Sequence, residues 1–429
     1  MAEKVIIDTP DTLFPFMPPV WELIGWIDDK CTGMHTLLHR MQEDNDLDLA
    51  RVDRKTLRKA CQDGVSPRIA ERIESNLHKV VEQKNVTELL NRITPTEPVV
   101  RDTNGTKWLM FSQGLLEVSN LSQPMQRLEL PRTFTFLGKR AKAEKILILA
   151  CHNARKIEAL PEEKLAKMHA AICEVFQQYT LLSPQEIRVY SAAMIDASRP
   201  GQTRTIDLIA EVLKCIFSLR VDFYHQLLAS FMADILQLRE SLKLSPRLDD
   251  ALVNQGGMGQ LMPLLEEGKL ITPTNRLYEF WLDAFSSTGE QPMSYRAMAM
   301  HLPRPLDVRT RVKGKADLQD IQYAADETRR SKLKEWRGST VPEADHLTKF
   351  LESLTGEAYS AFLPFIMTRV ATAWTKWIEQ ERTLLNQLVQ EHPALAENLD
   401  LEWLVERFSR YPQYWAHAKA QDTSGEPGP

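Results

Sequence analysis

Residues 205–219 and 221–242 are apolar around most of a helical circumference, and this stretch constrains the fold more than any other part of the chain. Asp207, Glu211, Lys214, Arg220, Asp222 and Asp234 interrupt it, so it cannot supply the run of about 20 apolar residues that spans a bilayer. Its apolar surface has to be covered by other parts of the same chain. That predicts a pair of long helices at the centre of a helical core, with no membrane as partner. A chain of 429 residues with 43% hydrophobic residues can build such a core and is long enough for more than one domain.

The predicted fold class is mainly α and multi-domain, with a small β-hairpin insertion around residues 98–137. Residues 19–93 read as an N-terminal helical module: an apolar opening helix (PVWELIGWI), a second (MHTLLHRM), then RVDRKTLRKACQDG and SPRIAERIESNLHKVV. Asp53 suits the N-cap of the third helix and Gly64 its end; Ser66 caps the fourth, with Pro67 at the first position, where a missing amide costs nothing. Residues 94–140 are expected to form the β element and a linker, because Asn104-Gly105 sits between two strand-like runs and QRLEL and RTFTFL follow. Residues 141–290 are expected to form the helical core, with one stripe at Leu165, Met168, Ile172, Val175 and Phe176 and a capping box at Ser183–Glu186. Residues 291–420 read as a C-terminal helical module with a basic insertion, and residues 421–429 as a disordered tail.

Three times a helix is predicted to stop at a glycine and restart after a proline: at Gly64, Gly268 and Gly338. The third unit carries Arg329, Arg330, Lys332, Lys334 and Arg337 on its first helix and Leu347, Phe350, Leu351 and Leu354 on its second. Between residues 304 and 337 there are ten basic and six acidic side chains, in a chain whose net charge is −5. An overall acidic protein does not coat nucleic acid with its whole surface, so any phosphate contact must be local. Basic residues along a helix also commonly form a solvated, ion-paired face.

Residues 49–77, LARVDRKTLRKACQDGVSPRIAERIESNL, resemble the later helices of the lambda-repressor/Cro class of helix-turn-helix DNA-binding domain. The resemblance implies a recognition helix entering the major groove by its amino end. Arg54, Lys55 and Arg58 would then face DNA, Arg51 and Arg68 would meet phosphates, and Leu57 would pack inward. The segment MSYRAMAMHLP (residues 293–303) resembles the supporting helix of such a motif, and the helix bearing Arg329 and Arg330 its recognition helix. An insertion carrying Arg309, Arg311 and Lys313 lies between them. DNA is the expected partner on this resemblance. A helical scaffold or adaptor that binds protein, or a homo-oligomer, is the alternative.

Cys31, His35 and His39 recur every four residues, but Gly33 interrupts the stretch and no acidic ligand lies near, so no metal site is expected. Gln255-Gly256-Gly257-Met258-Gly259 lacks the lysine and the strand-turn-helix setting of a phosphate loop, and no cofactor is expected. Trp374 and Trp377 lie at helical spacing and read as packing. No local catalytic signature is present, which favours a binder and leaves open an enzyme with a scattered site. Five widely spaced cysteines without a CxxC pair fit reduced thiols, and residues 1–19 lack the basic start and apolar run of a secretory signal, so a cytoplasmic location is expected.

Overall fold

The computed structural model describes residues 16–27, 34–43, 51–83, 104–110, 130–156, 161–199, 205–241, 258–285, 293–304, 318–356, 362–397 and 400–421. Helices α1 (Val20–Ile27), α2 (Met34–Glu43), α3 (Arg54–Gln62), α4 (Pro67–Gln83) and α5 (Asn104–Met110) are followed by α6 (Pro131–Lys156), α7 (Pro161–Tyr179), α8 (Pro184–Ser198) and the long α9 (Ile206–Ser241). A hairpin, β1 (Leu264–Glu266) and β2 (Lys269–Ile271), precedes α10 (Pro273–Ala284) and α11 (Tyr295–Ala299). The chain continues through α12 (Leu318–Trp336), α13 (Ala344–Thr355), α14 (Phe362–Glu391), α15 (Leu401–Ser409) and α16 (Tyr411–Ala420). The fold is therefore mainly α with a small antiparallel hairpin. None of the helices among the described residues is long and apolar enough to cross a membrane.

Helix α9 is the axis of the molecule. Its residues from Phe217 to Leu236 are almost all buried, on every face, because α6, α8 and α16 pack around it. This explains an apolar pattern without a polar side. The expected break at Arg220 does not occur: the helix is continuous, as nothing between Leu219 and Val221 is a helix breaker. The Arg220 guanidinium instead lies 4.3 Å from the Trp377 ring centroid and pairs with Glu22 of α1. Helix α1 contributes Val20, Leu23 and Trp26 to this main core, with Trp26 4.4 Å from Tyr224 between ring centroids. Helices α2 to α4 enclose a second, separate cluster of Leu38, Val52, Leu57, Ala60, Val65, Ala70 and Ile73. The apolar contacts of α6–α16 run as one cluster through both the 141–290 and the 291–420 segments.

Among the described residues the hairpin lies outside 98–137, of which residues 98–103 are not described. Residues 104–110 and 131–137 are helical, and residues 111–129 lie outside the described residues. Asn104 donates from Nδ2 to the Met17 carbonyl at 2.9 Å, and the Gly105 amide donates to the Glu144 carboxylate. A Cβ at Gly105 would come within 2.6 Å of that carboxylate and 3.0 Å of Ala141 Cα, so glycine serves the close approach of α5 to α6. The β-prone RTFTFL enters a helix because Asp234 of α9 caps it: its two carboxylate oxygens accept from the Arg132 and Thr133 amides at 3.1 and 2.9 Å.

The hairpin lies where a helix ending at Gly268 was expected. Leu264 pairs with Ile271 and Glu266 with Lys269, around a turn in which Glu267 (φ 50°) and Gly268 (φ 75°) are both left-handed. That is the turn geometry whose twist matches two adjacent strands. The N-terminal signals hold as expected: Asp53 caps α3, Gly64 takes φ 77°, Pro67 opens α4, and Ser183 with Glu186 closes a capping box on α8. The stripe on α7 buries Met168, Ile172, Val175 and Phe176, and Trp374 and Trp377 are core.

Candidate nucleic-acid interface

Helix α3 is fixed at its amino end and along its inner face. Asp53 accepts from the Thr56 amide (2.9 Å) and hydroxyl (2.6 Å), and these bonds hold its carboxyl below the ordinary range. Gln42, buried on α2, accepts from the Val52 amide at 2.9 Å and from Asn76 of α4 at 3.3 Å, while its own amide donates to the Leu38 carbonyl. The Arg72 guanidinium of α4 donates to the Arg51 carbonyl at 2.6 Å. One buried side chain thus ties α2, the entry to α3, and α4 together. Leu57 and Ala60 face inward and are fully buried.

The outer face of α3 is basic. Arg54, Lys55, Arg58 and Lys59 are exposed, as are Arg51 before the helix and Arg68 on α4. Among the described residues none of these six is ion-paired. Among the described residues the only side-chain hydrogen bond from the set runs from Arg58 Nε to Gln62 Oε1, at 3.3 Å. Their field reaches α2: burial, and then Arg54 and Arg58, lower the pKa of His35. Helices α2 and α3 are joined by residues 44–53, longer than the three- or four-residue turn of a helix-turn-helix.

The C-terminal candidates are held by their own chain. Arg329 lies 3.8 Å from Asp326 and Arg330 3.2 Å from Glu327, each one turn back on α12. Lys332 Nζ donates to His346 Nδ1 at 3.1 Å and lies over the Trp336 ring. The Arg337 guanidinium stacks 3.7 Å from the Tyr295 ring centroid. Lys334 alone of the five is exposed. Beneath them Leu333 and Trp336 pack on Leu347, Phe350, Leu351 and Leu354, with Trp336 and Phe350 in edge contact at 5.7 Å. Arg309, Arg311 and Lys313 lie outside the described residues.

Lys59 and Gln62 belong to the same outer face as Lys55 and Arg58, and their spacing of four residues was the signal that places them there. Other polar clusters had no local signal. Asp222 and Arg140, both buried, form an ion pair at 2.9 Å; Asp222 also accepts from the Leu181 amide and the Tyr414 hydroxyl. Burial pushes the Asp222 carboxyl up and the Arg140 guanidinium down. Glu186 pairs with Arg407 and Arg410, beside a cavity of about 500 Å³ lined by Ser183, Glu406, Ser409 and Arg410. His169, Cys173 and Ser191 meet between α7 and α8, with Ser191 Oγ 3.1 Å from both His169 Nε2 and Cys173 Sγ. Its hydroxyl proton is committed to the Ile187 carbonyl at 2.6 Å. Cys31 lies outside the described residues, and His39 pairs with Glu43 at 3.2 Å. Among the described residues no three His, Cys, Asp or Glu side chains are grouped to hold a metal ion.

Comparison with protein-family models, with curated proteins and with solved structures finds no match for the chain.

Proposed function

We propose that the protein binds duplex DNA in the cytoplasm through the outer face of α3, as a regulator or as a subunit of a DNA-associated assembly. The observation that carries the reading is the contrast between the two basic segments. Arg51, Arg54, Lys55, Arg58 and Arg68 stand in solvent with no carboxylate partner among the described residues, on α3 and its flanks, which are locked to a small core. Arg329, Arg330, Lys332 and Arg337 are already engaged. A cation without an internal partner gains its full interaction from a phosphate and releases a counterion, whereas an ion-paired one must first give up what it holds. Rigid support matters because a helix pinned by Gln42 and Asp53 presents its charges without a further ordering cost. In this reading the amino end of α3 points into a groove, and Arg51 and Arg68 meet the backbone on either side.

Equilibrium binding of the full chain to a labelled duplex, measured against salt, tests the proposal. With about four or five phosphates neutralised, the logarithm of the affinity falls with the logarithm of salt at a slope of about −4. Arg54→Glu with Lys55→Glu lowers low-salt affinity at least tenfold, and Arg329→Glu with Arg330→Glu changes it little. Negligible affinity at low salt removes the reading. The alternative is a helical scaffold or adaptor for protein partners, in which the basic face of α12, with Lys334 exposed, would serve an acidic partner. Loss of such a partner on reversing Arg329, Arg330 and Lys334, with DNA affinity unchanged, would separate that role from DNA binding.

A further inference from the structure

Arg58 differs from the other exposed cations of α3. Its Nε–H donates to the Gln62 side-chain oxygen one turn further along, at 3.3 Å, whereas the side chains of Arg54, Lys55 and Lys59 hold no partner among the described residues. A guanidinium tethered through Nε keeps its two terminal nitrogens as a free fork with a fixed direction. Such a fork matches two acceptors side by side, and the major-groove edge of guanine presents that pair as O6 and N7. Adenine offers N7 next to an amino donor there, so the same fork meets one acceptor and one like-signed group. An untethered lysine or arginine adapts to any phosphate and carries no sequence information.

The positions along the helix agree with this division. Arg54, Arg58 and Gln62 follow one another at intervals of four and form one stripe of α3, while Leu57 and Ala60 face the core. Arg54 and Lys55 occupy the first turn and Arg58 the second, so all three belong to the amino half that enters the groove, and Arg58 is the one whose guanidinium is tethered.

We propose that Arg58 reads a guanine in the major groove, with Gln62 as the positioning residue that aims its guanidinium. The inference rests on the reading that α3 is the DNA-contacting helix. Gln62 acts through Arg58: its oxygen fixes the fork, and its own amide donors stay available to a neighbouring acceptor.

Selection of sites from a random duplex library with the full chain tests it, alongside affinity for bulk DNA at low salt. The unaltered protein enriches guanine at one position, and replacing that guanine by adenine costs roughly tenfold or more in affinity. Arg58→Lys keeps the charge but replaces the planar fork by an ammonium, and weakens the guanine preference, while bulk affinity stays within about threefold, since the phosphate-driven contribution is retained. Gln62→Leu, which leaves Arg58 in place but untethered, weakens the preference in the same direction. Arg54→Gln, by contrast, lowers affinity for all sequences alike. Salt-dependent binding with no enriched guanine, or a guanine preference that neither Arg58→Lys nor Gln62→Leu weakens, overturns the inference and leaves α3 as a phosphate-binding helix. Absence of any affinity in the unaltered protein overturns both. All three side chains are exposed, so circular dichroism is expected to be the same for every variant.

Discussion

His225 is fully buried between the rings of Trp374, Phe408, Tyr411 and Tyr414, with centroids 5.6, 5.8, 5.4 and 5.0 Å away. Neither of its ring nitrogens has a hydrogen-bond partner among the described residues. Burial lowers its pKa from 6.5 to about 3, because nothing replaces the water that would stabilise the charged ring. The folded state therefore refuses a proton that the unfolded chain accepts once the pH drops below 6.5. The contribution of the neutral ring is intact above that value and is lost as the pH falls toward 3, at about 1.4 kcal/mol per pH unit. His225→Phe keeps a ring in the aromatic box and removes this titration. Urea unfolding at ~pH 7 and ~pH 5 is expected to show the unaltered protein losing about 2 kcal/mol more than the variant between the two conditions. Parallel losses in both proteins would contradict the assignment.

At the scale of elements, Glu186 serves two purposes. It accepts from the Ser183 amide at 2.7 Å, closing the cap of α8, and it pairs with Arg407 of α15 and Arg410. Burial by itself would raise its pKa; the Ser183 amide and the Arg407 guanidinium outweigh that and hold it below the ordinary carboxylate range. Glu186→Gln retains the capping geometry but leaves the nearly buried Arg407 without an opposite charge. Loss of one partner of a buried pair costs about 3 kcal/mol. Denaturant unfolding is the measurement, and Arg407→Met added to Glu186→Gln should recover most of the loss, since the uncompensated charge is then gone. If the single variant were as stable as the parent, the pair with Arg407 would add nothing to the cap. Asp234 does similar long-range work for α6, whose first amides it accepts from a helix about a hundred residues later.

Among the described residues two apolar clusters of very different size dominate, with a minor third around Ala210 and Leu395. The cluster of α2–α4 is built on a handful of side chains, whereas the main body buries α9 from Phe217 to Leu236 and the tryptophans of α10 and α14. Small cores leave little margin over chain entropy. Unfolding is expected to proceed in two transitions, with residues 34–83 opening first. Leu57→Ala, at a fully buried position, should destabilise the first transition by roughly 2–5 kcal/mol and leave the second where it was. Hydrogen exchange resolves this: faster exchange confined to α2–α4 supports separate units, and equal acceleration in α9 would show one cooperative structure. The same separation lets α3 carry its exposed charges without disturbing the core of an otherwise acidic protein.

The sequence by itself determined the mainly helical class, the boundaries of α3 and α4 from Asp53, Gly64 and Pro67, and the cap at Ser183 and Glu186. It also determined the basic outer face of α3. Those features depend on atoms within four residues of one another, so the local pattern contains the whole interaction. Tertiary structure alone decided that Asn104-Gly105 starts a helix under α6, that RTFTFL is helical under the cap of Asp234, and that Glu267-Gly268 turns a hairpin. It also decided the engagement of Arg337 and Lys332, which Tyr295 and His346 of other elements take up, whereas Arg329 and Arg330 pair with carboxylates three residues away. The physical reason is one of magnitude. Local propensities differ by less than about 1 kcal/mol per residue, and a distant carboxylate at a helix end or a buried close contact exceeds that.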